Sequence, residues 1–157
     1  MDLEILMIGK VKSPPVAGLL EEYTKRIRRF GPCRVRGLRE SRYSDEVKDG
    51  ARIIEEEGER ILTALAPGSV CVALDAGGQS MDSLRFSRFL EERLLRERRR
   101  VVFVVGGHLG LSARVKEQAA MVLSLSKMTL PHEMAALVLA EQLYRAFTIM
   151  KHLPYHK

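Results

Sequence analysis

No stretch of this chain is long and apolar enough to span a bilayer as a helix: the longest unbroken apolar run is Met134 to Ala140, seven residues against the roughly 20 required. The N-terminus carries acid at Asp2 and Glu4, where a secretory signal carries base, and no long apolar segment follows. Export is not expected, and a cytoplasmic location is. Cysteine is scarce, with only Cys33 and Cys71, so neither a C-x-x-C pair nor a zinc spacing can be assembled. Cys71 sits inside the apolar run Val70 to Leu74 and reads as a buried, inert thiol suited to a reducing compartment. His132-Glu133 opens like a metalloprotease H-E-x-x-H, but the second histidine would fall at Ala136, so no metal site is expected. Both common phosphate cradles are missing as well. A dinucleotide fingerprint begun at Gly106 would need glycine where His108 and Leu111 stand, and no Gly-Lys-Ser/Thr occurs.

What is present is the composition of a globular protein, 157 residues with 46% hydrophobic and 29% charged side chains, enough for one core and one domain over residues 1–157. The charge is uneven. Of a net +6, the segment Lys25 to Arg42 supplies eight bases against one acid, which leaves the remainder about neutral. A local patch of this kind is expected where a polyanion docks; a solvated basic helix face accounts for it equally well when the segment is read alone. The cluster around Arg93, Arg96 and Arg98 to Arg100 is interleaved with acids and reads as an ordinary exposed helix end.

Apolar periodicity divides the chain into alternating strands and helices. Leu3 to Ile8 reads as a strand, stopped by Ser13-Pro14-Pro15. Positions 16, 19, 20, 23, 27 and 30 trace one helix face. Cys33, Val35 and Gly37 alternate with Arg34 and Arg36, the pattern of a half-exposed strand near a sheet edge. Ser44 is placed to cap a helix with Val47, Ala51, Ile54, Ile61 and Leu65 on one side, weakened by Gly58. Val70 to Leu74 and Val101 to Val105 are continuous apolar runs, as strands buried on both faces must be, and Ser83 to Glu97 joins them as a crossover helix. A short helix capped by Ser112, a fifth strand at Met121 to Leu125, and a long helix from Pro131 bearing Met134, Leu137, Val138, Glu141 and Tyr144 complete a βαβαβαβαβα order. The fold class is α/β, a mainly parallel sheet with helices on both faces.

Ligands in such sheets sit beyond the carboxyl ends of the strands, which directs attention to three loops. They are Leu74 to Ser80, Val105 to Ser112, and Leu123 to His132, the last joined through a helix to the tail Leu153 to Lys157. Taken singly, the second is explained by a strand meeting a helix through glycine and the tail by fraying. Taken together they are more specific. Leu74-Asp75 with Gly78, Val104-Val105-Gly106-Gly107 with Gly110, Leu125-Ser126-Lys127-Met128-Thr129-Leu130-Pro131-His132, Glu141-Gln142-Leu143-Tyr144-Arg145-Ala146 and Pro154-Tyr155-His156 resemble, in order, the signatures of the RlmH family.

That resemblance implies an S-adenosylmethionine-dependent methyltransferase of SPOUT type with a C-terminal trefoil knot, acting as a homodimer on N3 of a pseudouridine in 23S ribosomal RNA within the ribosome. By the same resemblance Leu74, Gly106, Leu125, Ser126, Lys127, Met128, Thr129 and Leu130 are the cofactor-binding residues. Arg145, Tyr155 and His156 are the catalytic ones: a fixed cation to steady negative charge, a positioning phenol, and an imidazole to assist loss of the N3 proton. The cofactor has no phosphate, which agrees with the missing phosphate loops. Two positions depart from the family pattern, Glu133 where a neutral residue is usual and Ala136 where arginine is. Two other classes compete: a catalytically inert ribosome- or RNA-binding module of the same fold, and an unrelated nucleotide-binding α/β enzyme with affinity for ATP or NAD.

Overall fold

The computed structural model describes residues 2–157. Its elements follow one another as β1 (Asp2–Ile8), α1 (Pro14–Ile27), β2 (Cys33–Leu38), α2 (Glu46–Ala64), β3 (Val70–Ser80), α3 (Ser83–Leu90), β4 (Arg100–Val105), α4 (Ala113–Gln118), β5 (Met121–Ser124) and α5 (His132–Met150). This is the alternation that the periodicity predicts. The strands form one five-stranded sheet in the order β2-β1-β4-β3-β5, and every pairing is parallel. β1, β3 and β4 lie inside the sheet with both faces covered, which is why they are apolar without alternation. β2 is an edge strand, and its Arg34 and Arg36 reach the buried Glu4 of β1 from that edge.

Helices cover both faces of the sheet. On one side Leu20 and Ile27 of α1, Phe86 and Leu90 of α3, and Leu139, Leu143 and Phe147 of α5 pack over Leu3, Ile5, Phe103 and Val105. On the other, Ile61 of α2 and Val115 of α4 cover Leu6, Ile8, Val102 and Val104. Both cysteines are buried, and burial pushes the Cys33 thiol up to about 12 and the Cys71 thiol up to about 11. Neither is a nucleophile near neutral pH.

Several local expectations are corrected. The cap of α2 is Asp45, which accepts a hydrogen bond from Lys48 N at 3.1 Å, rather than Ser44. The helix is also rotated from the face anticipated: Val47 is 99% exposed, and the buried positions are Ile53, Glu57, Gly58 and Ile61. Gly58 explains the rotation, because a Cβ there would stand 2.4 Å from the Oγ of Ser112, the residue that caps α4 by accepting from Val115 N. A residue that costs the helix propensity thus allows two helices to touch. Leu74 to Ser80 is not a free loop but the continuation of β3, with a bulge that sets both Leu74 and Gln79 opposite Leu123. β5 stops at Ser124, one residue short of the expected Leu125. The crossover helix turns π-helical over Glu91–Arg96. On α5 the buried side runs through Ala136, Leu139, Ala140, Leu143, Ala146 and Phe147 instead of Met134 and Tyr144, since its alanines permit the close approach of α1 and α3.

Candidate active site

The carboxyl ends of β3, β4 and β5 enclose a cavity of about 500 Å³. Its walls come from three segments, Leu74–Ala76, Val105–Gly110 and Leu125–Ala135, and include Leu74, Gly106, Leu125, Ser126, Met128, Thr129 and Leu130. Seven of the eight residues named from sequence as cofactor-binding are therefore brought together. Lys127 is not in the lining and is exposed. The walls hold their shape through short-range hydrogen bonds. Ser124 Oγ lies 3.0 Å from both Ala76 O and Ser126 O, and Ser126 Oγ accepts from Met128 N at 3.0 Å. Gly110 N donates to Gly107 O at 3.0 Å, closing the middle segment into a tight turn. Gly106 is required by that turn itself, because a Cβ would come within 2.9 Å of the Gly110 carbonyl carbon.

The cavity suits the methyl donor that the sequence leads one to expect. Leu74, Val105, Leu125 and Leu130 offer apolar surface for a purine, and the glycine turn brings main chain to the edge. His132 Nε2 is buried in the wall and has no hydrogen-bond partner among the described residues, an orphan polar atom that a bound ligand can satisfy. No cluster of histidine, cysteine or acid among the described residues has the makings of a metal site.

The expected catalytic residues lie elsewhere. Arg145 donates to Glu141 Oε1 through Nε at 3.1 Å and Nη2 at 2.5 Å, and Tyr155 OH donates to the same oxygen at 3.0 Å. The Arg145 guanidinium stands over the Tyr155 ring at 4.8 Å, and Tyr144 meets that ring edge-on at 4.8 Å. Glu141 holds the Arg145 pKa above its ordinary value, and burial, aided by hydrogen bonds to Tyr23 and Glu141, raises that of Tyr155. The tail is folded back on α5, with Leu153 N donating to Thr148 O at 2.8 Å, while His156 is exposed. None of the three lines the cavity. Ten residues of α5 separate Ala135 in the cavity wall from Arg145, about 15 Å at helical rise.

Two residues outside the expected set shape the same region. Glu133 accepts from Lys12 N at 2.8 Å and Ser13 N at 3.2 Å, so this departure from the family pattern pins the β1–α1 loop to the start of α5. Ala136, the other departure, is fully buried in the core. Glu57, 3% exposed, accepts from Ser41 N at 3.0 Å and sits against the turn: a Cβ on Gly107 would lie 2.9 Å from its Oε2. No sequence pattern marks Glu57, because an acid in a run of acids on a helix reads as solvated. Burial raises its pKa above the ordinary 4.5. The folded chain therefore holds that proton to higher pH than the unfolded chain, and stability falls as pH rises through the window above about 4.5. Glu57→Gln, which keeps an acceptor for Ser41, is expected to melt higher than wild type at pH 7 and at the same temperature near pH 4. Parallel melting curves across that range would remove Glu57 as the source of the slope.

The basic segment is not a uniform free surface either. Five of its eight bases are paired: Arg26 with Glu22, Arg28 with Glu21, Arg34 and Arg36 with the buried Glu4, and Arg42 with Glu40.

The chain matches the family model described as predicted SPOUT methyltransferase over residues 1–156. It is 36% identical to the ribosomal RNA large subunit methyltransferase H of Streptococcus gordonii and 37% identical to that of Streptococcus pneumoniae strain CGSP14, each alignment covering all of both chains. In fold it resembles a probable methyltransferase from Bordetella pertussis Tohama I, with a TM-score of 0.57 at 20% identity over 92% of this chain and 95% of that one. It also resembles a probable methylase family protein from Haemophilus influenzae, with a TM-score of 0.52 at 15% identity over 99% and 70%. With a parallel α/β sheet, a cavity at its carboxyl edge, and full-length matches to both a family model and proteins so named, the chain belongs to the SPOUT methyltransferase family, among the ribosomal RNA large subunit methyltransferase H proteins.

Proposed function

We propose that residues 1–157 form one SPOUT domain that transfers a methyl group from S-adenosylmethionine to N3 of a pseudouridine in 23S ribosomal RNA, on the ribosome and as a homodimer. The observation that carries this reading is the convergence of Leu74, Gly106, Leu125, Ser126 and Met128 to Leu130 on a single cavity with an unsatisfied His132 nitrogen in its wall. Bound there, S-adenosylmethionine supplies an electrophilic methyl group on a sulfonium. The chain's own residues do the rest. Apolar walls and the glycine turn orient the donor, which matters because in-line transfer depends on alignment at close range. Arg145 has five N–H donors, of which Glu141 engages two, so others remain to stabilise the anion that forms when N3 loses its proton. His156 takes that proton, and Tyr155, tied to Glu141, holds the tail in place.

The separation of about 15 Å between cavity and Arg145 cluster supports the dimer. A second copy set against α5 would bring its cluster to the cavity of the first. It would also cover Met134, 38% exposed, and the half-buried Leu137 and Val138. The knot rests on family membership. The path from β5 through Leu125–Leu130 past the β3 and β4 ends to α5 on one face of the sheet accords with it. A cytoplasmic site of action accords with the ribosomal substrate, and no helix among the described residues is long and apolar enough to cross a membrane.

The test is mass spectrometry of ribosomal RNA from cells with and without the gene. Loss of one methyl group from one modified uridine of the large subunit is the expected result. Unchanged RNA, together with no calorimetric binding of S-adenosylmethionine, would instead favour an inert RNA-binding module.

A further inference from the structure

A second and larger cavity, about 700 Å³, opens beside the first at the carboxyl ends of β1 and β2. Five bases line it, Lys10, Lys12, Arg39, Arg42 and Arg60, against two acids, Glu40 and Glu56. Lys12 and Arg42 both reach Glu40 at 3.5 Å, and Arg60 reaches Glu56 at 3.7 Å. Lys10 and Arg39 are exposed and form no ion pair among the described residues. The aromatic Tyr43 completes the wall. Its hydroxyl donates to Glu56 at 2.5 Å, and Arg52 lies 4.6 Å from its ring centre.

The cavity is built rather than incidental. The loop carrying Arg39 to Tyr43 is fixed from α2, where Arg60 Nη1 donates to Arg39 O at 3.1 Å and to Ser41 Oγ at 2.6 Å. Ser41 Oγ in turn donates to Glu56 at 2.9 Å, and Ser41 N to buried Glu57 at 3.0 Å. Glu57 thereby ties the two cavities together, since its other oxygen abuts Gly107 in the lining of the first. The opposite rim, Lys10 to Lys12, is held to the start of α5 by Glu133, one residue from His132 of that site. β1 and β4 are neighbours in register, Met7 opposite Val105, so the cavities stand about two strand spacings apart, roughly 10 Å.

We propose that this cavity holds a nucleotide of single-stranded RNA flanking the modified base, its phosphates on Lys10 and Arg39 and its base against Tyr43. The proposal rests on the reading of the protein as an RNA methyltransferase and extends it to a site the donor cavity does not include. Charge and an aromatic ring side by side match the two parts of a nucleotide. Splayed bases stack on aromatic rings, and backbone phosphates are neutralised by lysine and arginine. An open mouth beside the reaction site lets a strand run from one cavity to the other.

The test uses the full chain and its Lys10→Gln/Arg39→Gln double variant, both substituted residues being exposed and unpaired so that the fold is spared. Oligouridylate affinity is measured from 50 to 200 mM salt alongside S-adenosylmethionine affinity. The expected variant binds the donor as wild type does and binds oligouridylate more weakly, with its log–log salt slope reduced by about 1.4, two phosphate contacts at about 0.7 each on a single strand. Tyr43→Ala is expected to weaken oligouridylate binding with no change in slope. An unchanged slope and affinity in the double variant overturn the proposal. So does a change confined to self-association in sedimentation, which would make the cavity a contact between copies. If wild type methylates ribosomal RNA and the variant keeps its slope, this site fails alone. If wild type methylates nothing yet the slope falls as expected, the site stands and the catalytic reading fails.

Discussion

Arg145→Ala is expected to slow methyl transfer about 10²- to 10³-fold, the cost typical of removing one donor to a developing oxyanion. S-adenosylmethionine affinity should stay close to that of wild type. The split follows from placement. Arg145 lies outside the cavity proposed to hold the donor, so losing it leaves every residue of that wall in position. Its charge is balanced in the resting protein by Glu141, which also carries the Tyr155 hydroxyl. Arg145→Lys keeps the charge but cannot reproduce the planar fork that binds Glu141 through two nitrogens, so it should recover only part of the rate. His156→Ala removes an exposed side chain and should change the pH dependence of the rate without affecting the melting temperature. Single-turnover methylation of ribosomes and calorimetry with the donor measure both quantities. An Arg145→Ala enzyme with wild-type single-turnover rate would remove the guanidinium from the chemistry, and an unaltered pH profile in His156→Ala would do the same for the imidazole.

The second large effect is on stability. Gly78→Ala is expected to cost about 3 kcal/mol, the upper end for forcing an extra carbon into a packed site. For a chain of this length that lowers the melting temperature by roughly 10 °C. A Cβ at Gly78 would stand 2.6 Å from Val122 O, 2.8 Å from Val122 C and 3.0 Å from Leu123 C, all main chain of β5. No side chain is there to give way, and β5 is a four-residue edge strand held on one side only, by β3. Displacing it also moves the segment Leu125–Leu130 that follows, so donor affinity should fall with stability. Gly77→Ala is the control, because its Cβ would meet only the flexible Asp75 carboxylate, at 3.1 Å. Equal melting temperatures for the two variants would show that the β3–β5 contact yields more readily than its geometry implies.

Some of the architecture is written in local pattern. Unbroken runs at Val70–Leu74 and Val101–Val105, and the run Leu3–Ile8 broken only by Glu4, point to strands covered on both faces. The Arg34/Arg36 alternation requires an edge, and Ser112 is a cap that needs only its own next three residues. That seven of the eight residues singled out line one cavity has a related reason: they lie in short contiguous motifs, each at the end of a strand, and a parallel sheet brings such ends together whatever the rest of the chain does. Helix faces were less legible. α2 and α5 carry apolar or small residues on more than one side, and the side that turns inward is chosen by what approaches it, Ser112 at Gly58 and α1 and α3 at the alanines of α5.

Sequence alone therefore determined the strand and helix alternation, the parallel sheet, the buried Cys71 thiol and the motifs that line the cavity, because each depends on neighbours a few residues away. Tertiary structure decided which bases of Lys25 to Arg42 remain free, that Glu57 is buried against Ser41 and Gly107, and that the tail folds back so that Tyr155 shares Glu141 with Arg145. Charge pairing and the burial of an acid are properties of residues far apart in the chain. Glu4 meets Arg34 across thirty positions and Glu133 meets Lys12 across 121, and no local pattern records such a meeting.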